Sequence, residues 1–557
     1  MTERRHPLVE QTRRDLAAGR IGRREFLRTV TLLGLSSAAA YGMAGRILGE
    51  DLVDPAHAQG DASPRRGGIL RVAMQVQKMD DPATYNWVEM SNQSRHTLEY
   101  LAITGADNVT RPMLAESWEP SDDLKTWTFN IRRGVKWHNG DELVADHVRW
   151  NVERWCQPAL GSANTGLSSI GAMLERVDGE QRLHDGAIEV LDDYTIRFNL
   201  AVPVLSVPED FYNYPMAILH PSFEPPFSAN PIGTGPYTMT ELAVGDRCIL
   251  RRVTETTTGE PFEYWGGEVY LDGIDYYNFD EDNQLVAFAG DDVDTIYEFG
   301  IEQYEFARAL PGTILEARTS QTLCCRFKVT EAPFDDVRVR QALVKGIDNN
   351  VFRDLVFQGT GDVGWNHHVA PVHPAYFELP AMERDVEGAK ALLAEAGYGD
   401  GLELTIDVGN TDGPWHQTVC EIMRDQWSDI GVRLNINVMP ASRYWEIWDK
   451  TAFGATAWTH RPLGTMILAL GYRSGVPWNE TAYANPEFDA ALAEAEATFD
   501  VEERRAKMER VEQILQDDAV MVQPIFRPVF TIVNDRVQGL EPHPTQYHQF
   551  TKVWLAA

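Results

Sequence analysis

The sequence predicts an α/β chain built as two lobes, with a subdomain inserted into the N-terminal lobe. Three observations lead there. The 557 residues suffice for two or three domains with sizeable cores. In 402–438 an alternating strand, a helix and a second alternating strand follow one another at the spacing of a β-α-β crossover, which joins parallel strands right-handed. In 114–155 a period-two strand pattern gives way to helical spacing, a unit complete in itself.

Residues 1–58 stand apart from the rest. Arg23-Arg24-Glu25-Phe26-Leu27-Arg28 is a twin-arginine pattern, a modestly apolar run follows over 29–45, and Ala56-His57-Ala58 offers small residues where a signal peptidase reads. This order is that of an export signal, with a mature chain expected to start near Gln59. Gly34, Ser36, Ser37 and Gly42 make the run a poor permanent anchor, and no later segment is long and apolar enough to span a bilayer.

The first lobe opens in 59–106. Ile69-Leu70-Arg71-Val72-Ala73 is a strand, Asp80-Asp81-Pro82 a turn, and a helix is expected over 92–101. The inserted subdomain is assigned to 107–220. There Trp127, Phe129 and Ile131 alternate with Thr128, Asn130 and Arg132, so one strand face is apolar and the other wet. Gly134 predicts a bend, Val135-Lys136-Trp137 a second strand and Asn139-Gly140 a turn. Val148, Val152 and Trp155 then share a helix face, with Asp146 in the first turn where the helix dipole favours a carboxylate. Residues 194–200 alternate again. The first lobe resumes in 221–318, where a proline-rich run ends at Gly233-Thr234-Gly235-Pro236-Tyr237; its glycines are read as permitting backbone angles that side chains forbid.

The second lobe is assigned to 319–520. Helices are expected over 337–347, 385–396 (capped by Gly397) and 415–430 (capped by Gly431), and the alternating strands are 402–408 and 432–438. Asp500 and Glu503 form a capping-box pair opening a helix to about Gln516. Final strands are expected over 520–526 and 529–533.

The net charge of −33 is spread along the chain without a tail; residues 1–58 hold nine Lys/Arg against seven Asp/Glu, so the remainder carries about −35. Such a surface is solvated and excludes a nucleic-acid partner, which needs basic charge. Cys156, Cys248, Cys324, Cys325 and Cys420 are an odd number with no C-x-x-C spacing, and they read as buried small hydrophobes; Cys324 and Cys325 point to opposite faces of one strand.

No catalytic motif stands out. Gly471-Tyr472-Arg473-Ser474-Gly475 has its serine one place late for a nucleophile elbow, and neither a phosphate loop nor a zinc-protease helix is present. His367, His368 and His373 lie in a Gly/Pro-rich loop and read as solvated residues; ligation of nickel or zinc is the alternative. No cofactor is called for. Tyr85, Trp87, Trp365 and Trp415 fall in loop-like segments and suit the aromatic wall of a small-molecule pocket, with core packing the alternative for each. Trp445 and Trp448 read as core residues on a helix.

The stretch Leu-Ala-Glu-Ser-Trp-Glu from Leu114, with Trp127-Thr-Phe-Asn-Ile-Arg-Arg-Gly-Val-Lys-Trp-His-Asn-Gly140 and Ala145-Asp-His-Val148, resembles the signature of the peptide- and nickel-type extracellular solute-binding proteins, family 5, that feed ABC importers. The island 232–237 and the island 333–343, Pro-Phe-Asp-Asp-Val-Arg-Val-Arg-Gln-Ala-Leu, resemble the same family in the same order. The resemblance implies a periplasmic-binding-protein-like fold in which 521–557 returns to the first lobe and the chain crosses between lobes near 319–323 and 518–524. It implies a non-enzymatic receptor that closes around a small peptide-like or other organic solute and hands it to ABC permease subunits; a monomer is expected, periplasmic and exported by the twin-arginine machinery. A periplasmic hydrolase or amidase in the same cleft, and a receptor for nickel or a metal chelate, are the alternatives. In peptide-binding members a tryptophan is followed three places later by an aspartate that pairs with the ligand ammonium. Trp458 matches the tryptophan, and Arg461 stands where the aspartate would be. The resemblance then implies reversed pocket charge, suited to a carboxylate or other anion, with His460 adding a donor or a pH dependence. A structural ion pair at Arg461 is the alternative.

Overall fold

Two mixed sheets carry the architecture of the computed structural model, which describes residues 12, 14, 16, 20, 63–177 and 179–556. The twin-arginine pattern, the run 29–45 and the Ala56-His57-Ala58 site lie outside the described residues. Residues 66–553 form one unit; residues 1–65 with 554–557 form another, in which Thr12, Arg14 and Leu16 are helical.

The first sheet has seven strands in the order Tyr237–Ala243, Arg247–Arg252, Gly273–Tyr277, Ile69–Ala73, Thr295–Ile296, Val529–Val533 and Thr313–Ala317. Ile69–Ala73 sits at its centre, parallel to both neighbours. The second sheet runs Asp362–Val363, Ile525–Phe526, Thr322–Phe327, Phe453–Trp458, Leu402–Val408 and Val432–Val438, with Met521–Val522 also pairing with Thr322–Phe327. The 402–438 unit is parallel in register from Leu402↔Val432 to Val408↔Val438. Leu402, Leu404, Ile406 and Val408 are buried, as alternation dictates, but Val438 is exposed because its strand outruns the core.

Cys324 and Cys325 are adjacent and both fully buried, one in each of the two apolar clusters that flank this sheet. A strand buried on both faces reads as an unbroken apolar run, because no side of it meets water. All five cysteines are free and buried.

The chain passes between sheets twice, through 318–321 and 527–528. The second passage is later than the 518–524 expected, because Met521–Val522 and Ile525–Phe526 still pair in the second sheet. The two passages are tied together: Arg527 N–H donates to Gln321 O at 2.8 Å, and Thr319 Oγ1 donates to Arg527 O at 2.6 Å.

Between the first two segments of the first sheet lies a separate antiparallel sheet, Ala115–Pro120, Thr126–Ile131, Thr195–Asn199 and Ile188–Asp192. Trp127, Trp137 and Trp155 are fully buried against it and the helix Ala145–Trp155. Gly134 is left-handed at φ 74°, but Val135-Lys136-Trp137 supplies only a bridge, Lys136 to Glu142, and no strand. The helix expected over 92–101 forms earlier, Val88–Ser94. Gly233 and Gly235 are glycine for a different reason from the one expected. Neither has positive φ; a Cβ on Gly233 would stand 1.8 Å from Thr97 O, and one on Gly235 2.5 Å from His96 O. Close backbone approach, and not a special angle, excludes side chains there.

Candidate functional site

The strand Phe453–Trp458 ends beside the first passage, where Thr322 pairs with Trp458. Its side chains alternate, so Thr456 and Trp458 face one side. There Glu480 accepts from Trp458 Nε1 at 2.9 Å, from Thr456 Oγ1 at 2.6 Å and from Arg326 Nε at 2.8 Å. Arg326 and Glu480 are almost fully buried, so the pair needs these further bonds to offset its desolvation. Burial pushes the Glu480 carboxyl up, and Arg326 pulls it back. The result is an indole with one fixed orientation, its edge against the His368 ring at 5.6 Å and Trp478 at 6.1 Å. Trp478 and, through Trp448, Trp445 continue this row outward, and Trp478 and Trp445 are nearly half exposed. Trp445 and Trp448 are thus not helix-borne core: the helix there is only Ala441–Tyr444.

Beyond Trp458 the chain turns through His460, Arg461 and Pro462. His460 is buried. Ser320 N–H donates to its Nδ1 at 3.0 Å, which leaves Nε2–H to donate to Asn108 Oδ1 at 3.1 Å. Both ring nitrogens are therefore occupied by protein, and His460 is not the solute donor expected; desolvation holds its pKa well below the ordinary value. Arg461 is half-buried. Its Nη1 donates to Thr459 Oγ1 at 2.9 Å and to His460 O at 3.0 Å, and among the described residues no carboxylate forms an ion pair with it. Desolvation lowers its pKa, while Tyr214, Tyr547 and Asp210, all carried by the first lobe, pull it back up. Groups of the first lobe thus contribute to the field at this guanidinium.

The histidine loop is also buried, contrary to the solvated reading, because the loop is folded under the Trp458 segment. His368 Nδ1 is 2.7 Å from Tyr472 Oη. His373 takes Ala370 N–H on Nδ1 at 2.9 Å and so donates from Nε2 to Arg461 O at 3.0 Å. His367 Nδ1 lies 3.7 Å from Glu512 Oε2, both side chains fully buried. Burial depresses His367 and His368 to about 3 and His373 to about 4, and raises Glu512 well above the carboxylate range, so all are neutral. Among the described residues no group of three or more His, Cys, Asp or Glu is placed to hold a metal ion.

The remaining expected wall residues are scattered. Tyr85 is buried in the first lobe, and Trp415 is core in the second, donating to Asp412 O and packed edge-on against Phe357 at 5.2 Å. Local loop composition suggested a pocket, but the lobes pack over both rings. Trp87 is 59% exposed beside the helix Val88–Ser94, and Trp365 is half-buried with its carbonyl bonded to Gln516. The structure brings together only Trp458, His460 and Arg461 of the expected wall and cation set; it adds His373 from the histidine loop, and Asn108, Ser320 and Glu480, which sequence reasoning did not single out. Glu480 and Asn108 carry no local signal: their partners lie far along the chain, 352 residues away for Asn108 and His460.

Two α/β lobes joined by paired passages, with an insertion in the first, make up the plan of a solute-binding protein. The chain belongs to the bacterial extracellular solute-binding proteins, family 5, whose profile matches residues 109–472. It is similar to the periplasmic oligopeptide-binding protein OppA of Haemophilus influenzae, 27% identical over 82% of this chain and 86% of that protein. It is equally similar, at 27% over 79% of this chain and 83% of the other, to heme-binding protein A of the same species. The structure of HbpA2 from Haemophilus parasuis superposes with a TM-score of 0.75 over 88% of this chain and the whole of that one, at 24% identity. Among the described residues no helix is long and apolar enough to cross a membrane.

Proposed function

We propose that the protein is the periplasmic solute receptor of an ABC importer, binding a small peptide-like solute that bears an anionic group. It delivers that solute to permease subunits and catalyses no reaction itself. The family supports the receptor role; relatives are named for oligopeptide, dipeptide and heme binding. The observation that carries the anionic preference is Arg461, a half-buried cation in the field of the other lobe's groups with no carboxylate ion pair among the described residues. Trp458 and the exposed Trp478 beside it offer apolar faces for the rest of the solute. The lobes close about 318–321 and 527–528, and only a difference in solute affinity between open and closed states drives closure. Mass spectrometry of whatever co-purifies tests this reading. A peptide-like anion is expected; a cationic solute with no acidic group would end the anionic part, and a metal chelate or a turned-over product would end the reading itself.

Export by the twin-arginine machinery is part of the proposal, motivated by Arg23-Arg24 and Ala56-His57-Ala58. Changing both arginines to lysine is expected to leave the precursor in the cytoplasm, read by fractionation and immunoblot. Undiminished periplasmic yield would count against that route, and a mature terminus far from Gln59 only against the cleavage point.

A further inference from the structure

Asn108 sits at the tip of the hairpin formed by Ala102–Thr104 and Thr110–Pro112, on the first-lobe side, yet it is 1% exposed. Its amide is spent entirely on the second lobe. Oδ1 accepts from His460 Nε2–H at 3.1 Å, and Nδ2 donates to Pro462 O at 2.9 Å and to Val372 O at 3.2 Å. The backbone around Arg461 is held from its own side by Ser320 Oγ, which accepts Arg461 N–H at 3.1 Å, and by His373, which donates to Arg461 O at 3.0 Å. From the opposite lobe it is held by Asn108.

We propose that Asn108 is a cross-lobe positioning residue, through which the first lobe sets the geometry of the Arg461 segment, so that this segment is complete only in the closed state. The inference rests on the closing-receptor reading above. The chemistry at 108 is demanding. One side must accept from His460, whose tautomer Ser320 N–H dictates, and the other must donate to two carbonyl oxygens. An apolar side chain would leave a buried N–H and two buried C=O groups without partners. An aspartate would set a charged oxygen against both carbonyls. The backbone requirement is separable: φ is 59°, a left-handed angle open to Gly, Asn and Asp. Asn108→Gly therefore removes the amide and keeps the turn, and Asn108→Asp keeps both the turn and the shape.

The test is amide hydrogen exchange on the exported protein with its co-purified solute retained, so that the lobes are closed. In Asn108→Gly the Ser320 and Arg461 amides are expected to exchange about ten- to a hundredfold faster than in the wild type, the weight of two or three net hydrogen bonds. Asn108→Asp adds a readout that mere loss of packing would not move. Its carboxyl, facing two carbonyls, has a raised pKa in the closed state, so closure is favoured at low pH and lost as pH rises through that value. Rates corrected for intrinsic exchange should approach wild type toward pH ~5 and match Asn108→Gly near pH ~8. The other charged or titratable groups around the tip include His460, His373, His543, Arg461, Asp107, Arg111, Glu541 and, beside Thr110, Glu209; they are the same in the wild type and in Asn108→Gly, so the readout is the pH trend of Asn108→Asp relative to both. Wild-type exchange at both amides in Asn108→Gly, or an Asn108→Asp protein that follows the wild type at every pH, would overturn the proposal. The chemical class of the solute does not enter the measurement, so failure here leaves the solute reading standing, and failure of that reading leaves this one testable.

Discussion

Stability is expected to hold between about pH 6.5 and 4.5 and then to fall, by about 5 kcal/mol per pH unit near pH 4 from five buried histidines that take up protons on unfolding, easing further down as they take protons in the fold too. His367, His368 and His416 are buried and depressed to about 3, His373 and His543 to about 4. The cause in each is desolvation of the charged form. A histidine with a depressed folded pKa contributes stability above its unfolded value, near 6.5, and loses it as pH falls toward the folded value. Taken alone this loss would begin at mildly acidic pH. Buried carboxyls oppose it: Glu209 and Glu298 are raised to about 7 and Asp210 to about 6, chiefly by burial, with Glu99, Glu480 and Glu512 also raised. A raised carboxyl takes its proton first in the fold and gains stability as pH falls, until the unfolded chain is protonated too, near 4.5. Below that the histidine loss is uncompensated. Urea unfolding across a pH series measures it, and a loss centred near pH 6.5, or stability undiminished at pH 3, would refute this balance. His416→Phe sharpens the test. Both ring nitrogens of His416 lack hydrogen-bond partners, so phenylalanine removes one proton from the acid slope and breaks no bond.

These histidines also mark where the sequence stopped being legible. Alternation placed the strands Leu402–Val408 and Val432–Val438 and their pairing, because period-two burial is a local property. Cap chemistry was local as well: Asp500 accepts from the N–H groups of Glu502 and Glu503, where the helix Val501–Asp518 starts. Burial of a loop is not local. His367-His368 and His373 sit among glycines and prolines, which signals exposure, yet Tyr472, Glu512 and Arg461 close over them from remote parts of the chain. The same holds for Tyr85 and Trp415, aromatic in loop-like surroundings but roofed by their own lobes. The second passage between sheets was misplaced because 520–526, two short apolar strands around Gln523-Pro524, does not say in its own pattern which sheet it joins. Trp458 and Arg461 could be singled out because a family pattern pointed to them; no periodicity in 453–462 does so.

Arg461→Ala is expected to weaken solute binding by about two to three powers of ten. A guanidinium withdrawn from water needs a counter-charge, and removing one partner of such a pair costs about 3–5 kcal/mol, at about 1.4 kcal/mol per factor of ten. Among the described residues the guanidinium has hydroxyl and carbonyl partners only, Thr459 and His460 O, and desolvation already lowers its pKa. An anionic group on the solute supplies what is missing. Arg461→Lys should recover part of the loss, since an ammonium keeps the charge without the planar fork. The electrostatics give a contrasting variant. Asp210 is the carboxyl whose field Arg461 feels across the lobes, and burial raises it to about 6, so at neutral pH it is largely charged and competes for the cation. Asp210→Asn keeps an oxygen to accept from Ser169 N–H and removes that competition, so it should bind the solute somewhat more tightly. Calorimetric titration of the three variants with the co-purified solute decides the matter. Wild-type affinity in Arg461→Ala, or weaker binding in Asp210→Asn, would mean that Arg461 answers to Asp210 and not to the solute; the receptor would remain, but its selectivity would have to be sought along the Trp458–Trp478 row instead.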